Sequence, residues 1–480
     1  MPDFFINGQP VHAERDQTVM QAALAAGFFI PYFCWHPNLS VAGNCRICVV
    51  EVEDPKGGNW IEIACNMPVS EGMRVLTDSE GVRARRKETL QLILLNHPVD
   101  CGICDKAGEC TLQDYHYTYN GERSVSVDAK VPATKFHPLS ERVIIDNERC
   151  ILCSRCVRFT HEVSKSCSLG IQSRGDHSLV RESEDGAFAS DPYSDNVIDI
   201  CPVGALLSKE FLYKSRVWYL KATPSVCPGC ERGCAIDIWH RKPEWKLNAL
   251  DPKQNTSIAR VTPRENPAVN GPWICNKGRD LAQILERPRA EQALLKGKPV
   301  ELAAAIDAAR RLIEGAKKAV ALVSSWASNE ELDAFKRALG SRVTGFVKTD
   351  WLPQPGERVE DDVLIKADKN PNGRRARELF GTAAVQFPAG TDLVLVWGEG
   401  CNFAELPRGV KVIYLNSYLA PENGHADVFF PISIQTERAG TYTNFAGSVS
   451  AFKACFAKKP QVAHAEELFA RLGAKEKVAA

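Results

Sequence analysis

Most of the cysteines in this sequence occur in groups whose spacing is typical of metal ligands. The chain has 480 residues and 18 cysteines. Thiolates and neutral imidazoles are ligands that iron and zinc bind readily in proteins. Four candidate sites, numbered here in chain order, are Cys34, Cys45, Cys48 and Cys65; His97, Cys101, Cys104 and Cys110; Cys150, Cys153, Cys156 and Cys201; and Cys227, Cys230, Cys234 and Cys275. Metal chemistry is therefore the first function that the residue types indicate.

The overall composition is that of a globular protein without a strong electrostatic preference. Hydrophobic residues make up 44% of the chain and charged residues 25%, and the length is sufficient for several domains with their own cores. Lys and Arg together number 59, as do Asp and Glu, so no basic surface for nucleic acid or an anionic membrane is expected. We expect no nucleic-acid partner.

The sequence also lacks the signals of membrane insertion or export. A spanning helix needs about 18 consecutive apolar residues, and the closest stretch, VMQAALAAGFFIPYFCW, is interrupted by Gly27 and Pro31. The N-terminal MPDFFINGQP has no basic segment, apolar run or small-residue cleavage site. These features predict no direct membrane span and a cytoplasmic location, where clustered thiols more often bind metal than form disulfides.

The residues around the first site predict a plant-type ferredoxin fold. Asn7-Gly8 between two alternating apolar runs predicts a hairpin. Thr18 can cap a short helix, VMQAALAA, that ends near Gly27, and the runs CVVEVED and NWIEIAC read as strands. This order suits a [2Fe–2S] cluster, although C-x10-C-x2-C-x16-C departs from the plant spacing C-x4-C-x2-C. A zinc site remains the alternative here.

The third site resembles one half of a two-cluster bacterial ferredoxin. In those proteins the run C-x2-C-x2-C-x3-C-P occurs twice, and the fourth cysteine of each run serves the other cluster. Here Thr160 stands at the fourth position of the first run, and the second run keeps only Cys201-Pro202. The other three positions of the second run hold Asp191, Ser194 and Val197. One complete [4Fe–4S] site is therefore predicted, with every ligand of the second cluster replaced.

The fourth site has the spacing C-x2-C-x3-C-x40-C. It resembles the small [4Fe–4S] domain at the start of the molybdenum and tungsten pterin oxidoreductases, which include formate dehydrogenases. In that family a lysine two residues after the last cysteine lies between cluster and pterin. Lys277 matches that position.

The second site includes a histidine. LQLILLNHPVDCGIC predicts an apolar helix stopped at Pro98, with His97 at its C-terminal end. A lone histidine there would more often be a surface or capping residue. With the three cysteines that follow in H-x3-C-x2-C-x5-C, however, it completes a four-ligand set for one iron–sulfur cluster. Replacing a thiolate by an imidazole removes one negative charge and should shift the reduction potential, as in Rieske centres.

The order of the four motifs resembles the large iron–sulfur subunits, called G, of bacterial NADH:quinone oxidoreductase (respiratory complex I), over residues 1 to about 280. The resemblance implies a [2Fe–2S] cluster at the first site, a [4Fe–4S] cluster at the second and the next [4Fe–4S] cluster of the chain at the third. It also implies a [4Fe–4S] cluster off the main path at the fourth site, which some bacterial members lack.

We expect a multidomain α+β and α/β protein. The predicted domains are a [2Fe–2S] ferredoxin-like domain (1–80), a His/Cys [4Fe–4S] domain (81–140), a bacterial-ferredoxin-like [4Fe–4S] domain (141–220), a Mo/W-oxidoreductase-type [4Fe–4S] domain (221–280) and a truncated molybdopterin-oxidoreductase-like region (281–480).

The last of these domains is expected to be catalytically empty. VSSWASNEELDAFKRAL and DLVLVWGEG resemble stretches of the pterin-binding domains, and strand and helix patterns alternate. No cysteine follows at the place where a formate dehydrogenase would offer its metal ligand, so no molybdopterin is expected. Cys401 is predicted to lie in a strand-end loop, and the spare Cys167, Cys401 and Cys455 to be buried small hydrophobes. Cys167, which falls between ligands of the third site, could compete during cluster assembly.

No motif predicts bond-making chemistry in this chain. There is no G-x-G-x-x-G after a strand, G-x-S-x-G, P-loop or H-E-x-x-H. No catalytic residue is therefore assigned, and the candidate clusters indicate one-electron relay. The resemblance implies that this relay belongs to a proton-translocating NADH:quinone oxidoreductase.

The resemblance implies a peripheral subunit on the cytoplasmic side of the cell membrane. Its implied partners are the flavin- and NADH-binding subunit, the small [2Fe–2S] subunit and the quinone-side iron–sulfur subunits. Three alternatives stay open: an electron-transfer subunit of an NAD-linked hydrogenase or formate dehydrogenase, a multi-zinc structural protein, and an iron–sulfur assembly or storage protein.

Overall fold

The computed structural model describes residues 2–53, 57–245 and 252–474. The chain forms two compact units, Met1–Tyr219 and Leu220–Ala480. In the first unit the elements are β1 Asp3–Ile6, β2 Gln9–His12, α1 Val19–Ala25, β3 Val49–Glu53, β4 Trp60–Ile63, β5 Arg74–Leu76, α2 Glu80–Leu94, α3 Thr111–Tyr115, β6 His137–Pro138, β7 Val143–Ile145, α4 Arg155–Glu162, β8 Leu169–Gln172, β9 Leu179–Glu182, α5 Ala187–Ser190, α6 Asn196–Ile200 and β10 Leu206–Ser208.

The second unit is built from two main sheets and the helices that cover them. Its elements are β11 Leu220–Val226, β12 Ala235–Arg241, β13 Ile258–Pro263, α7 Asn276–Arg279, α8 Leu281–Leu285, β14 Ala293–Leu295, β15 Lys298–Val300, α9 Leu302–Gly315, β16 Ala319–Ser324, α10 Asn329–Leu339, β17 Val343–Lys348, α11 Gly373–Phe380, β18 Leu393–Trp397, β19 Lys411–Asn416, α12 Glu422–His425, β20 Val428–Pro431, β21 Gly440–Thr443, β22 Val449–Phe452 and α13 Ala465–Gly473.

The first sheet confirms the local predictions made for the N-terminal residues. Ile6 pairs with Gln9, so Asn7 and Gly8 form a two-residue turn, and both have the positive φ that a type I′ turn requires. The sheet has the order β2-β1-β5-β3-β4, with β1 and β5 parallel. Thr18 caps α1 through a reciprocal capping box. The helix and both strands around the first site are thus where the sequence places them.

Helix α2 ends earlier than its apolar pattern predicts. Ser79 caps its start by accepting a hydrogen bond from the Val82 N–H, and its last residue is Leu94. The predicted position of His97, at the C-terminal end of the helix, is therefore wrong by three residues. Pro98 explains why the helix cannot extend to His97, because a proline disfavours the helical conformation of the residue before it. His97 consequently lies in the connection that leads to the second-site cysteines.

The four positions at which the sequence predicts that ferredoxin ligands are replaced hold buried side chains. Thr160, Asp191, Ser194 and Val197 are all buried. The Asp191 carboxylate accepts hydrogen bonds of 2.6 and 2.8 Å from the hydroxyls of Ser164 and Ser166. The Ser164 hydroxyl also donates to the Thr160 carbonyl. Hydrogen-bonded and apolar side chains therefore fill the positions where a second set of thiolates would stand.

The second unit has the α/β architecture expected for the C-terminal region. Its seven-stranded sheet has the order β15-β14-β20-β19-β18-β16-β17, in which neighbouring strands from β20 to β17 are parallel. The core between this sheet and its helices includes Phe335, Trp397 and Phe469, with ring centroids 4.7 to 5.9 Å apart. Cys401 lies in the loop after β18, as predicted. A separate antiparallel sheet, β11-β12-β13, supports the fourth site.

Among the described residues, no helix combines the length and apolarity needed to cross a membrane.

Candidate metal centres

The four thiols of the first site lie close enough to affect one another. The Cys34 N–H donates to the Cys45 sulfur at 3.4 Å. A hydrogen bond between these two side chains lowers the pKa of Cys34 to about 5 and raises the pKa of Cys45. A hydrogen bond with Cys65 raises the pKa of Cys48, to which the charge of Cys34 also contributes. The loop after α1 and the end of β4 thus bring all four predicted ligands together.

At the second site, burial is the main cause of the raised pKa values of two cysteines. Burial raises the pKa of Cys104, with a further contribution from the charge of Cys101. Burial likewise raises the pKa of Cys110 to about 11, and here the charge of Cys104 contributes. Cys101 is exposed. The three thiols are therefore neighbours, at an edge of the domain where one of them reaches solvent.

His97 has the protonation and environment expected of a metal ligand. Burial is the main cause that lowers its pKa to about 4, so the imidazole is neutral near pH 7. Its Nδ1 atom is buried and has no hydrogen-bond partner among the described residues. An unsatisfied buried nitrogen costs about 1–3 kcal/mol, and coordination would satisfy it. The charges of Asp100 and Arg149 act on both His97 and Cys104.

The third-site cysteines line a single cavity. Its wall contains all four sulfur-bearing residues together with apolar side chains such as Ile145, Val180 and Val203. Burial raises the pKa of Cys150 to about 12 and that of Cys153 to about 11, and the charge of Cys201 acts on both. A thiol-lined cavity with mostly apolar walls fits an iron–sulfur cluster, whose inorganic core is held by thiolates.

One four-residue segment, Cys201 to Gly204, connects the second and third sites. Cys201 is a predicted third-site ligand, and the next carbonyl, of Pro202, accepts a hydrogen bond of 3.0 Å from the Thr111 N–H. The Cys110 sulfur lies 3.9 Å from the same oxygen. A Cβ atom added to Gly204 would lie only 2.2 Å from the Cys104 sulfur. The backbone that carries a predicted third-site ligand therefore packs directly on two predicted second-site ligands.

This contact predicts that Gly204→Ala removes iron from the second site. The new methyl group overlaps the Cys104 sulfur, which must leave its position for the methyl to fit. We expect the EPR signal of the second-site cluster to be lost or strongly reduced. Gly102→Ala is the matched control, because its added Cβ meets no atom within 4 Å. A full second-site signal in Gly204→Ala would contradict the assignment of Cys104 as a ligand.

The fourth-site thiols are also mutually close. Burial and the charges of Cys275 and Cys230 raise the pKa of Cys227. Burial and the charges of all three other thiols raise the pKa of Cys234. The Cys227 N–H donates to the Cys234 carbonyl at 2.8 Å, so the first loop of this site is closed by a backbone hydrogen bond. The four predicted ligands converge beside the β11-β12 pair.

Lys277 forms an ion pair and lies over an aromatic ring within the second unit. Its ammonium lies 2.7 Å from the Glu357 carboxylate and 5.6 Å from the centre of the Trp351 ring. A second, almost fully buried ammonium, Lys369, lies 3.7 Å from the same carboxylate and donates to the Val359 carbonyl at 2.8 Å. Two cations and one carboxylate thus stand beside the fourth-site thiols.

The spare cysteines behave in two ways. Cys401 and Cys455 are half-buried and pack against apolar clusters, as small hydrophobes do. Cys167 is exposed, so the prediction that it is buried is wrong. Its backbone has a positive φ of 50° and its N–H donates to the Thr160 carbonyl at 3.0 Å. Hydrogen bonding of the backbone, rather than burial of the side chain, holds this residue.

Three arginines that touch the sites were not predicted from the sequence. The segment ERCILCSRCVRF alternates third-site cysteines with Arg149, Arg155 and Arg158. This alternation is the sequence pattern from which their position beside the sites could have been predicted. Arg149 is 1% exposed, and its guanidinium lies 2.6 Å from the Asp100 carboxylate and 3.3 Å from that of Asp146. Because Arg149 directly precedes Cys150 and acts on Cys104, a fixed positive charge lies between the second and third sites.

Among the described residues, no three His, Cys, Asp or Glu side chains meet the geometry of a single-ion site.

Four family models match successive parts of the chain. They are described as a 2Fe-2S iron-sulfur cluster binding domain (residues 2–80), an NADH-ubiquinone oxidoreductase-G iron-sulfur binding region (86–124), a ferredoxin-like domain of NADH-quinone oxidoreductase subunit 3 (140–207) and a molybdopterin oxidoreductase Fe4S4 domain (220–287). Each range contains one of the four sites. The predicted fold class is confirmed, and so is the prediction of [2Fe–2S] together with [4Fe–4S] clusters, at the level of domain type.

Curated relatives point the same way. The chain is 39% identical, over 62% of its length, to the mitochondrial iron-sulfur protein 1 of NADH dehydrogenase [ubiquinone] from Solanum tuberosum, and it covers 38% of that protein. It is 34% identical, over 78% of its length, to the NADH-ubiquinone oxidoreductase 75 kDa subunit of Reclinomonas americana, covering 53% of it. The G subunit of the NADH-quinone oxidoreductase of Rickettsia typhi is 36% identical over 63% of the chain, with 42% of that relative covered.

The chain therefore spans about two fifths to one half of the length of these relatives. A solved chain from an NAD+-reducing [NiFe]-hydrogenase in the H2-reduced state aligns with 45% of this chain and 91% of its own length, at 30% identity and a TM-score of 0.41. The resemblance predicted from the order of the motifs is confirmed by the family models and the curated relatives: the chain is a homologue of the large iron–sulfur subunits of NADH-quinone oxidoreductases, which are known as the G or 75 kDa subunits.

Proposed function

We propose that the chain is an iron–sulfur electron-relay subunit of an NADH:quinone oxidoreductase. The observation that carries the proposal is the direct contact between the ligand-bearing segments of three sites in the first unit. Ligand segments that touch one another place redox centres close together, as stepwise transfer of single electrons requires. The names of the curated relatives support the same role.

The ligands assigned to each cluster follow from the sites. Cys34, Cys45, Cys48 and Cys65 hold the [2Fe–2S] cluster; His97, Cys101, Cys104 and Cys110 hold a [4Fe–4S] cluster; Cys150, Cys153, Cys156 and Cys201 hold a second; and Cys227, Cys230, Cys234 and Cys275 hold a third. When bound, these clusters supply reversible one-electron chemistry. The chain's own residues hold them, exclude water and set the surrounding charge. The proposal keeps the five-domain division 1–80, 81–140, 141–220, 221–280 and 281–480, with no catalytic residue in this chain.

The contacts favour an order of transfer that differs from the order of the motifs. Arg158 hydrogen-bonds to the carbonyls of both Cys34 and Cys153, which links the first site to the third. The segment that follows Cys201 links the third site to the second. The first and second sites touch through Tyr32 and Tyr115 rather than through ligand residues. Electrons accordingly pass from the first site to the third and then to the second.

The relatives' names support assembly into an NADH-quinone oxidoreductase, and the partners and location proposed here follow from the resemblance of the motifs to its G subunits. Electrons arrive from NADH through a flavin-binding subunit and a small [2Fe–2S] subunit, and leave towards quinone through further iron–sulfur subunits. The chain acts as a peripheral subunit on the cytoplasmic side of the cell membrane. Proton translocation belongs to other subunits of such a complex.

The proposal predicts a specific set of redox centres. Anaerobically purified protein reduced with dithionite should show EPR signals of one [2Fe–2S] cluster and of up to three [4Fe–4S] clusters, with matching iron and sulfide. Cys153→Ser should abolish one [4Fe–4S] signal, because a third-site ligand is lost. Cys167→Ser is the matched control: it lies outside the four sites and should leave every signal intact.

Zinc would give a different result. A colourless protein that contains stoichiometric zinc and no sulfide would overturn the relay function and favour a structural metal protein.

A further inference from the structure

Arg158 lies where the first and third sites meet. It belongs to α4, and its Nη2 atom donates hydrogen bonds to the carbonyl oxygens of Cys34 and Cys153, the latter at 3.3 Å. These two cysteines are assigned to different clusters. The Nη1 atom donates to the Ser40 carbonyl, and Nε donates to the Ser154 hydroxyl at 3.2 Å. One guanidinium is therefore bonded to the backbone of two ligand residues at once.

The same face of α4 holds the loop 34–40 at two further points. One turn after Arg158, the Glu162 carboxylate accepts hydrogen bonds from the N–H and the hydroxyl of Ser40, the first at 2.8 Å. One turn before it, the buried Arg155 donates to the Trp35 carbonyl at 2.7 Å and to the Ile200 carbonyl at 3.0 Å. Trp35 follows the ligand Cys34, and Ile200 precedes the ligand Cys201. The helix is thus fixed to the first-site loop along its whole length.

Arginine is the side chain suited to this position. Its planar group has five N–H donors in a fixed arrangement, so it can bind several carbonyl oxygens with little loss of freedom per bond. Lysine carries the same charge but presents one nitrogen on a flexible stem. Charge and hydrogen-bond geometry can therefore be separated by a single substitution.

We propose that Arg158 is a positioning residue for electron transfer between the first and third clusters. Its guanidinium fixes the separation of the two ligand loops and forms a continuous hydrogen-bonded connection, Cys34 C=O to Nη2 to Cys153 C=O. This role rests on the proposed relay function. Tunnelling falls steeply with distance and is faster through bonded contacts than through gaps, so losing this connection slows transfer between two centres that are otherwise intact.

The test compares two variants of the full chain with its clusters loaded. Arg158→Lys keeps the positive charge but cannot hydrogen-bond to both cysteine carbonyls as the planar guanidinium does. Glu162→Gln is the matched control, because it weakens the hydrogen bonds from Ser40 to the same helix and leaves the hydrogen bonds to the ligand carbonyls unchanged. Iron and sulfide content, the midpoint potentials of both clusters, the spin coupling between the reduced clusters and the rate of electron equilibration after photoreduction are measured in each.

We expect Arg158→Lys to retain its iron and its midpoint potentials. Spin coupling between the two clusters should weaken and electron equilibration should become about tenfold slower, because the hydrogen bonds that fix the separation of the two ligand loops are lost. Glu162→Gln should behave like the parent. Parental coupling and rate in Arg158→Lys, or an equal loss in Glu162→Gln, would overturn the proposal. Loss of first-site iron in Arg158→Lys would also overturn it, since the residue would then serve cluster retention. Failure of the parent protein to contain iron and sulfide is a separate result, and it overturns the relay function itself.

Discussion

Replacing His97 with cysteine lowers the midpoint potential of the second-site cluster. The imidazole is neutral, and a thiolate in its place adds one negative charge at a buried site, which favours the oxidised cluster. Rieske centres, where two histidines replace two thiolates, lie several hundred millivolts above plant-type ferredoxins, so a decrease on the order of 100 mV is expected for one ligand. An EPR-monitored redox titration measures it.

Two further variants make this result specific. His97→Ala removes the ligand altogether and should cost the second-site cluster its signal or its stability. His116→Ala is the matched control, because His116 lies in the same domain but bonds to Asn120, at 3.0 Å, outside the four sites. An unchanged potential in His97→Cys together with full iron in His97→Ala would remove His97 from the ligand set.

Ligand sets can be proposed from the sequence because ligand spacing is a local property. The short runs that contain Cys101 and Cys104, or Cys153 and Cys156, fold as tight loops whose sulfurs must lie near one another. Distant members such as Cys65 and Cys201 could be added because they stand at the ends of recognisable elements. The same local signals placed the Asn7-Gly8 turn and the Thr18 cap correctly.

What could not be predicted depends on contacts between segments far apart in the chain. The spatial order of the sites depends on Arg158 reaching Cys34 and on Pro202 reaching Thr111, and neither contact leaves a local pattern. Cys167 was predicted to be buried because free cysteines usually are. The structure shows instead that a positive φ turns its backbone at the end of the loop and leaves the side chain exposed.

Replacing Arg149 with methionine should destabilise the first unit strongly, because Arg149 neutralises carboxylates that lie between the second and third sites. The side chain is 1% exposed and pairs with Asp100 and with the fully buried Asp146. Lys135 lies 3.4 to 3.6 Å from the same two carboxylates but is itself partly exposed. Removing one partner of a buried ion pair costs about 3–5 kcal/mol, because the other charge stays buried. Thermal unfolding followed by circular dichroism measures the loss.

The same substitution should change the response to acid. Burial alone would raise the pKa of Asp100, but the hydrogen bonds and charges of Arg149 and, to a smaller extent, Lys135 outweigh it and lower the pKa below its ordinary value of 3.8. A carboxylate whose pKa is lowered on folding stabilises the protein above its ordinary pKa, and this contribution is lost as the pH falls through the lowered value. The parent should therefore lose stability between about pH 5 and pH 3, and Arg149→Met should lose less over that range.

Arg83→Met provides the matched control, because it removes the same group from an ion pair, with Asp78, whose two side chains are both mostly exposed. Such a pair is screened by water, so only a small change is expected. Arg149→Met combined with Asp100→Asn should recover part of the stability, since one of the two carboxylates that lose the guanidinium is then neutral. Arg149 joins Asp100, which directly precedes the second-site cysteines, to the start of the third site. Equal losses of stability in Arg149→Met and Arg83→Met would contradict this role.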